Sequence, residues 1–250
     1  FPSLYNYLRK VKNSSSKNKN LKKEIINFKS QTRDYLEKNY KKNYGEQIFP
    51  SQLLVKKKIQ SNEEINLPEK VVIEINNTCN LDCLMCKTSL STRKKGKMDM
   101  VSFKKIVDYC SKNSIREIEL HTIGDPLMNP ILDQILGYLR EKKIFVGLTT
   151  NGLLIKKRYD ILKNFQDIVS QLSISVDSPK KETYEIVRTK GNFEELIDNL
   201  DFAKKHLKAK LRMSMTISKL NYKELGSFID FAKKYVLNLP EDIFFGFLNS

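Results

Sequence analysis

Residues 71–86 read VVIEINNTCNLDCLMC, so a strand-like run leads directly into three closely spaced cysteines. The run from Val71 to Asn76 is rich in β-branched residues, which favours a strand. Cys79, Cys83 and Cys86 follow it with C-x3-C-x2-C spacing. Four cysteines in 250 residues do not make a disulfide framework, and three of the four belong to this loop. The spacing therefore indicates a set of metal ligands.

Two other interpretations of the three cysteines are open. A zinc site usually shows paired C-x2-C or Cys/His spacings, whereas this chain has one C-x2-C pair and two distant histidines, at positions 121 and 206. Spacings of four and three residues also match one face of a helix. The Asn and Thr residues at 76–78 and 80 are poor in a helix interior, which argues against that helix.

The strand and its cysteine loop resemble the radical S-adenosylmethionine (SAM) superfamily. In that family the loop after the first barrel strand carries three thiolates for a [4Fe–4S] cluster, which implies that Cys79, Cys83 and Cys86 hold one here. Such clusters are usually held by four thiolates, so three leave an iron open, as a catalytic metal site requires. In the family this iron binds the amino and carboxylate groups of SAM, and Met85 occupies the hydrophobic position near the adenine.

Beyond residue 70 the sequence alternates between strand-like and helix-like runs. This alternation predicts βαβ units and a parallel sheet, whose right-handed crossovers bring all the strand ends to one rim. A closed eight-unit barrel needs about 250 residues, but 180 follow residue 70. We therefore expect an α/β fold, a partial (β/α)6 TIM-like barrel. The expected strands are 71–76, 115–121, 144–150, 171–176, 210–217 and 243–248, and the expected helices are 102–112, 129–141, 155–165, 181–207 in one or two pieces, and 221–236.

The second and third strand ends carry short motifs similar to those of the family. Gly124-Asp125-Pro126 resembles the last three positions of a Gly-Gly-Glu-Pro-like motif, whose backbone lies near the SAM amino group. Ile123 replaces the first glycine and Asp125 replaces the glutamate of the family motif. Thr150-Asn151-Gly152 resembles a Thr-Asn-Gly turn common in the family. Ordinary turns are the alternative for both motifs.

The end of the fourth strand is the most informative stretch after the cysteines. It resembles radical SAM enzymes with SPASM-type extensions. The resemblance implies that Ser175 and Asp177 face the SAM ribose or the substrate. It also implies that Arg188 pairs with the SAM carboxylate, which suits a guanidinium; a solvated charge on a surface helix is the alternative. The residues that carry this resemblance are Ser175, Asp177, Thr183-Tyr184, Arg188 and Gly191-Asn192-Phe193.

The N-terminal part of the chain differs in charge from the rest. Residues 1–45 contain 12 Lys/Arg and 3 Asp/Glu, which is more than half of the net charge of +16. We predict a basic, partly helical N-terminal extension and linker over 1–67, and a barrel domain over 68–250 that ends after the sixth strand. No basic motif of a known nucleic-acid module is present, so we favour a solvated basic helix over a nucleic-acid partner.

The composition indicates the compartment in which the protein is expected. No run of 18 apolar residues exists, so no transmembrane helix is expected. Sparse cysteines fit a reducing, cytoplasmic compartment. The first residue is Phe1 rather than Met, so we expect a piece of a longer protein.

The resemblance implies an enzyme of the SPASM/Twitch-like branch that cleaves SAM reductively and abstracts hydrogen from a peptide or a small molecule such as a sugar. An external one-electron donor of flavodoxin or ferredoxin type would supply the electron. That branch carries further cysteine motifs after the barrel, and this sequence has no cysteine after Cys110. The alternative is a non-enzymatic, metal-stabilised barrel scaffold with a basic, partner-binding N-terminal arm. A scaffold would be expected to have lost some of the strand-end motifs.

Overall fold

Within the part of the chain that the structure describes, six parallel strands form a single sheet in the order β1-β2-β3-β4-β5-β6. The structure is a computed structural model that describes residues 68, 70–86, 88, 91–239 and 241–247. The predicted extension over 1–67 lies outside these residues. The sheet curls into a half-barrel, so the predicted partial (β/α)6 barrel is confirmed. The strands are β1 Lys70–Ile73, β2 Glu117–Leu120, β3 Phe145–Thr150, β4 Val169–Ser175, β5 Lys210–Ile217 and β6 Ile243–Phe247.

Helices connect successive strands, as the alternating pattern predicted. The predicted helical region 181–207 divides into two helices, α4 and α5. Between them Lys190 adopts φ 71°, and the Asn192 side chain caps α5 by accepting a hydrogen bond from the Glu195 backbone N–H at 2.8 Å. The helices are α1 Met100–Lys112, α2 Leu132–Glu141, α3 Tyr159–Asn164, α4 Lys181–Val187, α5 Phe193–His206 and α6 Leu225–Ala232.

The two faces of the sheet differ in polarity. In β5 the buried residues are Leu211, Met213, Met215 and Ile217, and they belong to the apolar core. The alternate residues Arg212, Ser214 and Thr216 are polar and only partly buried. Their partners across the sheet, Ser173 and Ser175 in β4, are polar as well. A parallel sheet with one apolar and one polar face covers its core with helices and leaves a polar inner surface.

Two elements are shorter than the sequence pattern suggested, and an asparagine follows or precedes each of them. The first strand was predicted to continue to residue 76 but ends at Ile73, and Asn76 instead forms an isolated antiparallel bridge with Lys97. Helix α2 begins at Leu132 rather than at residue 129, because the fully buried Asn129 donates to the Ile75 carbonyl at 3.0 Å. Both asparagines attach the chain at the carboxyl end of β1, where the cysteine loop begins.

Candidate active site

The cysteine loop, residues 76–86, is fastened to the end of helix α4 by the backbone. The Asp82 N–H donates to the Thr189 carbonyl, and the Leu84 N–H donates to the Val187 carbonyl, both at 3.0 Å. Leu81, between the two attached residues in sequence, is buried. The loop is therefore ordered by contacts within the protein, and this ordering fixes where its three sulfur atoms lie.

The thiols of Cys79 and Cys83 lie in buried surroundings with negatively charged groups nearby. Burial raises the pKa of the Cys79 thiol, and the neighbouring Asp125 and Cys86 raise it further. Burial also raises the pKa of the Cys83 thiol, with Cys79, Asp177 and Cys86 adding to the rise while Arg188 opposes it. Thiolates crowded in this way need positive charge beside them. A cationic iron–sulfur cluster supplies that charge, so the donor set fits one.

The zinc interpretation finds no support in this geometry. Among the residues that the structure describes, no group of three or more His, Cys, Asp or Glu side chains could hold a metal ion. A single tetrahedral ion requires its ligands to converge on one point. A cubane is different, because each of its thiolates binds a different iron and the sulfurs surround the cluster.

Gly124, at the end of β2, lies directly against the cysteine loop. Its φ is +87°, and a Cβ at this position would lie 2.5 Å from the Asn76 carbonyl oxygen and 2.9 Å from that of Thr78. The next residue, Asp125, donates its backbone N–H to the Thr78 carbonyl at 2.8 Å. Glycine is thus required here by the backbone of the cysteine loop, a reason that the family motif alone did not reveal.

The buried Asp125 carboxylate joins the ends of β2 and β3. It accepts hydrogen bonds from the Leu127 N–H at 2.9 Å, the Thr150 hydroxyl at 2.8 Å and the Asn151 N–H at 2.9 Å. Burial raises the pKa of this carboxyl group, and these hydrogen bonds counteract the rise. Pro126 opens the short 3-10 turn that Asp125 caps. These three hydrogen bonds come from neighbouring residues of the chain, so the carboxylate positions its neighbours.

Asn151 continues this network to the cysteines. Its side-chain N–H groups donate to the Asn80 side-chain oxygen at 2.8 Å and to the Cys79 sulfur at 3.7 Å. The backbone N–H of Leu81 also donates to the Cys79 sulfur, at 3.5 Å. The predicted residues Asp125, Thr150 and Asn151 are therefore brought together on the Cys79 side of the loop. Sequence reasoning missed Asn80, although it lies within the cysteine motif.

On the other side of the loop, Arg188 reaches Cys83. The Arg188 Nε lies 2.7 Å from the Asp177 Oδ2, an ion pair without the alignment of a hydrogen bond. The Arg188 Nη1 lies 3.7 Å from the Cys83 sulfur. Burial lowers the pKa of the guanidinium, but Asp177 and Cys83 outweigh it and raise that pKa. With only 9% of its surface exposed, Arg188 is not the solvated helix charge considered as an alternative.

The loop after β5, which sequence reasoning missed, holds Asp177 in place. Asp177 has φ +65° and is fully buried. The buried Asn221 side chain donates to the backbone carbonyl of Asp177 at 2.8 Å and to that of Thr216 at 2.9 Å. The Thr216 N–H in turn donates to the Asp177 Oδ1 at 2.6 Å. Nothing in the local pattern around Asn221 marks it, because its partners lie on two different strand ends.

The remaining predicted positions, Ser175 and Met85, are partly exposed. The Ser175 Oγ accepts a hydrogen bond from the Ser214 hydroxyl at 3.1 Å. Ser175 therefore lies on the polar inner face, where a ligand has access to it.

Comparison with known proteins identifies the family. A model of the Radical SAM superfamily matches residues 73–232, which is more than half of the chain. The chain belongs to the radical SAM superfamily. This confirms the family and its cofactors, a [4Fe–4S] cluster and SAM, as predicted from the cysteine loop. The matched range begins in β1 and ends with α6, so it includes all the residues of the site described above.

Two curated relatives of this radical SAM protein illustrate the range of the family. The chain is 28% identical over 145 residues to the antilisterial bacteriocin subtilosin biosynthesis protein AlbA of Bacillus subtilis, covering 57% of this chain and 32% of AlbA. It is 29% identical over 156 residues to the GTP 3',8-cyclase of Alkaliphilus metalliredigens, covering 59% of this chain and 45% of the cyclase. The chain spans less than half the length of these relatives.

Solved structures share the fold at low sequence identity. Streptococcus suis SuiB bound to S-adenosylmethionine superposes with a TM-score of 0.61 at 18% identity, over 78% of this chain and 42% of SuiB. The structure of anSMEcpe with bound AdoMet and the Kp18Cys peptide gives a TM-score of 0.58 at 16% identity, over 72% of this chain and 51% of anSMEcpe. At such identities the likeness establishes the half-barrel architecture.

Proposed function

We propose that this radical SAM protein cleaves SAM reductively and abstracts hydrogen from a peptide or small-molecule substrate. One observation carries the proposal: Cys79, Cys83 and Cys86 lie on a loop that backbone hydrogen bonds tie to the ends of β2 and α4. In this proposal the three thiolates hold the cluster. When bound, a reduced cluster in this family supplies the electron that cleaves SAM.

The residues around the loop have separate proposed roles toward SAM. The backbone at Gly124, Asp125 and Pro126 receives the amino group, and Arg188 binds the carboxylate with N–H groups beyond those directed at Asp177 and Cys83, since a guanidinium has five. Ser175 offers an accessible hydroxyl to the ribose or the substrate, while Asp177 acts through Arg188. The residues proposed to complete the SAM site are Met85, Thr150 and Asn151.

The proposal for the class of substrate rests on the relatives of the chain. AlbA acts in the biosynthesis of a bacteriocin, and SuiB has been crystallised with a precursor peptide, which supports a peptide and the SPASM/Twitch-like branch. The cyclase relatives support a small molecule instead. We further propose a barrel domain over 68–250 behind a basic extension over 1–67, a cytoplasmic location, and a flavodoxin- or ferredoxin-type electron donor. No described helix is long and apolar enough to cross a membrane.

Anaerobic iron–sulfide reconstitution followed by a 5'-deoxyadenosine assay with SAM and dithionite tests the proposal. We expect about four irons per chain, because a cubane contains four, and formation of 5'-deoxyadenosine. Two buried cysteines make a matched pair of variants: Cys83→Ala should abolish both results, whereas Cys110→Ala, in the core of α1, should retain them. Iron binding and SAM cleavage that survive Cys83→Ala would contradict the assignment of Cys83 as a cluster ligand. A wild-type chain that binds metal but never cleaves SAM would favour the non-enzymatic scaffold with a basic arm.

A further inference from the structure

Cys83 and Arg188 lie on two backbone segments that are hydrogen-bonded to each other. The residues on either side of Cys83, Asp82 and Leu84, donate their N–H groups to the carbonyls of Thr189 and Val187. These are the residues on either side of Arg188. The pairing therefore brackets the contact between the Arg188 Nη1 and the Cys83 sulfur at 3.7 Å. A contact bracketed in this way is specified by the backbone and does not depend on the rotamer of a long side chain alone.

An ion pair with Asp177 also fixes the position of the Arg188 guanidinium. Its Nε lies 2.7 Å from the carboxylate of Asp177, and Asp177 is held at φ +65° by the Thr216 N–H and by the side chain of Asn221. Arg188 is 9% exposed and Asp177 is fully buried. Solvent screening between this ion pair and Cys83 is therefore weak, and each charge acts on the sulfur at short range.

Neutral N–H groups donate to the other two cysteines. Cys79 accepts from the Asn151 amide at 3.7 Å and from the Leu81 N–H at 3.5 Å. Cys86 accepts from the Thr88 N–H at 3.4 Å. These donors are neutral, whereas Arg188 carries a full positive charge to Cys83. Hydrogen bonds to the sulfurs and the net charge around a cluster are among the factors that set its reduction potential.

We infer that Arg188 and Asp177 are positioning residues that set the reduction potential of the cluster through Cys83, an inference that rests on the function proposed above. The Arg188 N–H donates to the Cys83 thiolate, and its positive charge stabilises the reduced cluster, which carries one more electron. Asp177 orients the guanidinium and partly offsets its charge. The two residues therefore act on the potential with opposite signs. This role is separate from the proposed binding of the SAM carboxylate and operates before SAM arrives.

The test is a redox titration of the reconstituted full chain without SAM, monitored by the EPR signal of the reduced cluster. Arg188→Gln should lower the potential, so that the ratio of reduced to oxidised cluster at a fixed applied potential falls about tenfold, a shift of about 59 mV for one electron. Asp177→Asn should raise the potential, because it leaves the positive charge uncompensated. Asparagine suits this position, since it tolerates positive φ and keeps the Oδ1 acceptor.

The control is Lys190→Gln. Lys190 lies two residues beyond Arg188 and pairs with Asp82 of the cysteine loop at 2.5 Å, but its side chain is 65% exposed. The Lys190→Gln substitution removes the same unit charge as Arg188→Gln near the same loop, but Lys190 pairs with Asp82 and not with a cysteine sulfur. We expect the potential of this variant to match the wild type within the error of the titration.

Opposite shifts in the two single variants would support the inference. An unchanged potential in Arg188→Gln with four irons bound would overturn it, as would shifts of the same sign in both variants. Should Arg188→Gln fail to assemble a cluster because Asp177 is left unpaired, the double variant Asp177→Asn/Arg188→Gln removes both charges of this ion pair and is titrated instead. The sign of the shift in Asp177→Asn then decides, because an upward shift supports the inference and a downward or absent shift overturns it. A wild-type chain that assembles no [4Fe–4S] cluster would instead contradict the proposed function itself.

Discussion

At the scale of single residues, Gly124 shows how tightly the cysteine loop is packed against β2. Substitution by alanine would impose positive φ on a residue with a Cβ and place that Cβ 2.5 Å from a backbone oxygen. We expect Gly124→Ala to lower the free energy of unfolding by about 2–4 kcal/mol, since backbone strain and overpacking each cost about 1–3 kcal/mol. Urea denaturation measures this change.

Gly226 provides the matched control at the same scale. It lies in helix α6, and a Cβ there would meet nothing within 4 Å. Gly226→Ala should leave stability unchanged or increase it by about 0.5–1 kcal/mol, because alanine favours a helix. Equal losses in the two variants would show that Gly124 is not specially constrained.

At the scale of elements, the turn after β5 acts as a support for the end of β4. Replacing Asn221 by alanine would leave the backbone carbonyls of Asp177 and Thr216 and the Ser218 N–H without this partner. A buried polar group left unpaired costs about 1–3 kcal/mol, but the contacts to Thr216 and Ser218 are only partly buried. We therefore expect Asn221→Ala to destabilise the fold by about 2–4 kcal/mol in urea titration. Asn113→Ala removes one exposed hydrogen bond, to the Tyr109 carbonyl, and should cost less than about 1 kcal/mol. A smaller loss for Asn221→Ala than for Asn113→Ala would contradict this role.

The same elements show which features the sequence can and cannot predict. The strands and helices could be predicted because hydrophobic periodicity is local, and β5 alternates between the buried Met213 and Met215 and the partly exposed Ser214. The cysteine ligands could be predicted because their spacing is local as well. The roles of Asn76, Asn129 and Asn221 could not be predicted, because each side chain joins segments that are distant in sequence. Asn76 and Asn129 lie where the strand and the helix are shorter than predicted. Arg188 was found, but its pairing with Cys83 across 105 residues depends on the folded backbone.

At the scale of the whole molecule, the site is made of segments from four strand ends, so ligand binding should stabilise the domain as a unit. The cysteine loop is tied to β2 through Gly124 and Asp125, to β3 through Asn151, and to the β4–α4 region through Arg188. Asn221 extends these ties to β5. A ligand bound among these segments opposes the separation of any of them, and unfolding requires their separation.

We therefore expect SAM to raise the thermal unfolding midpoint of the anaerobically reconstituted protein. A ligand at 100 times its Kd stabilises the native state by about 2.7 kcal/mol, which in a domain of this size corresponds to a shift of about 5–10 °C. Anaerobic differential scanning fluorimetry with and without SAM measures the shift. Cys83→Ala should show none, because SAM then lacks the open iron of the cluster, while Cys110→Ala should show the full shift. An equal SAM-dependent shift in both variants would mean that SAM binds independently of the cluster, contrary to the site assigned to it.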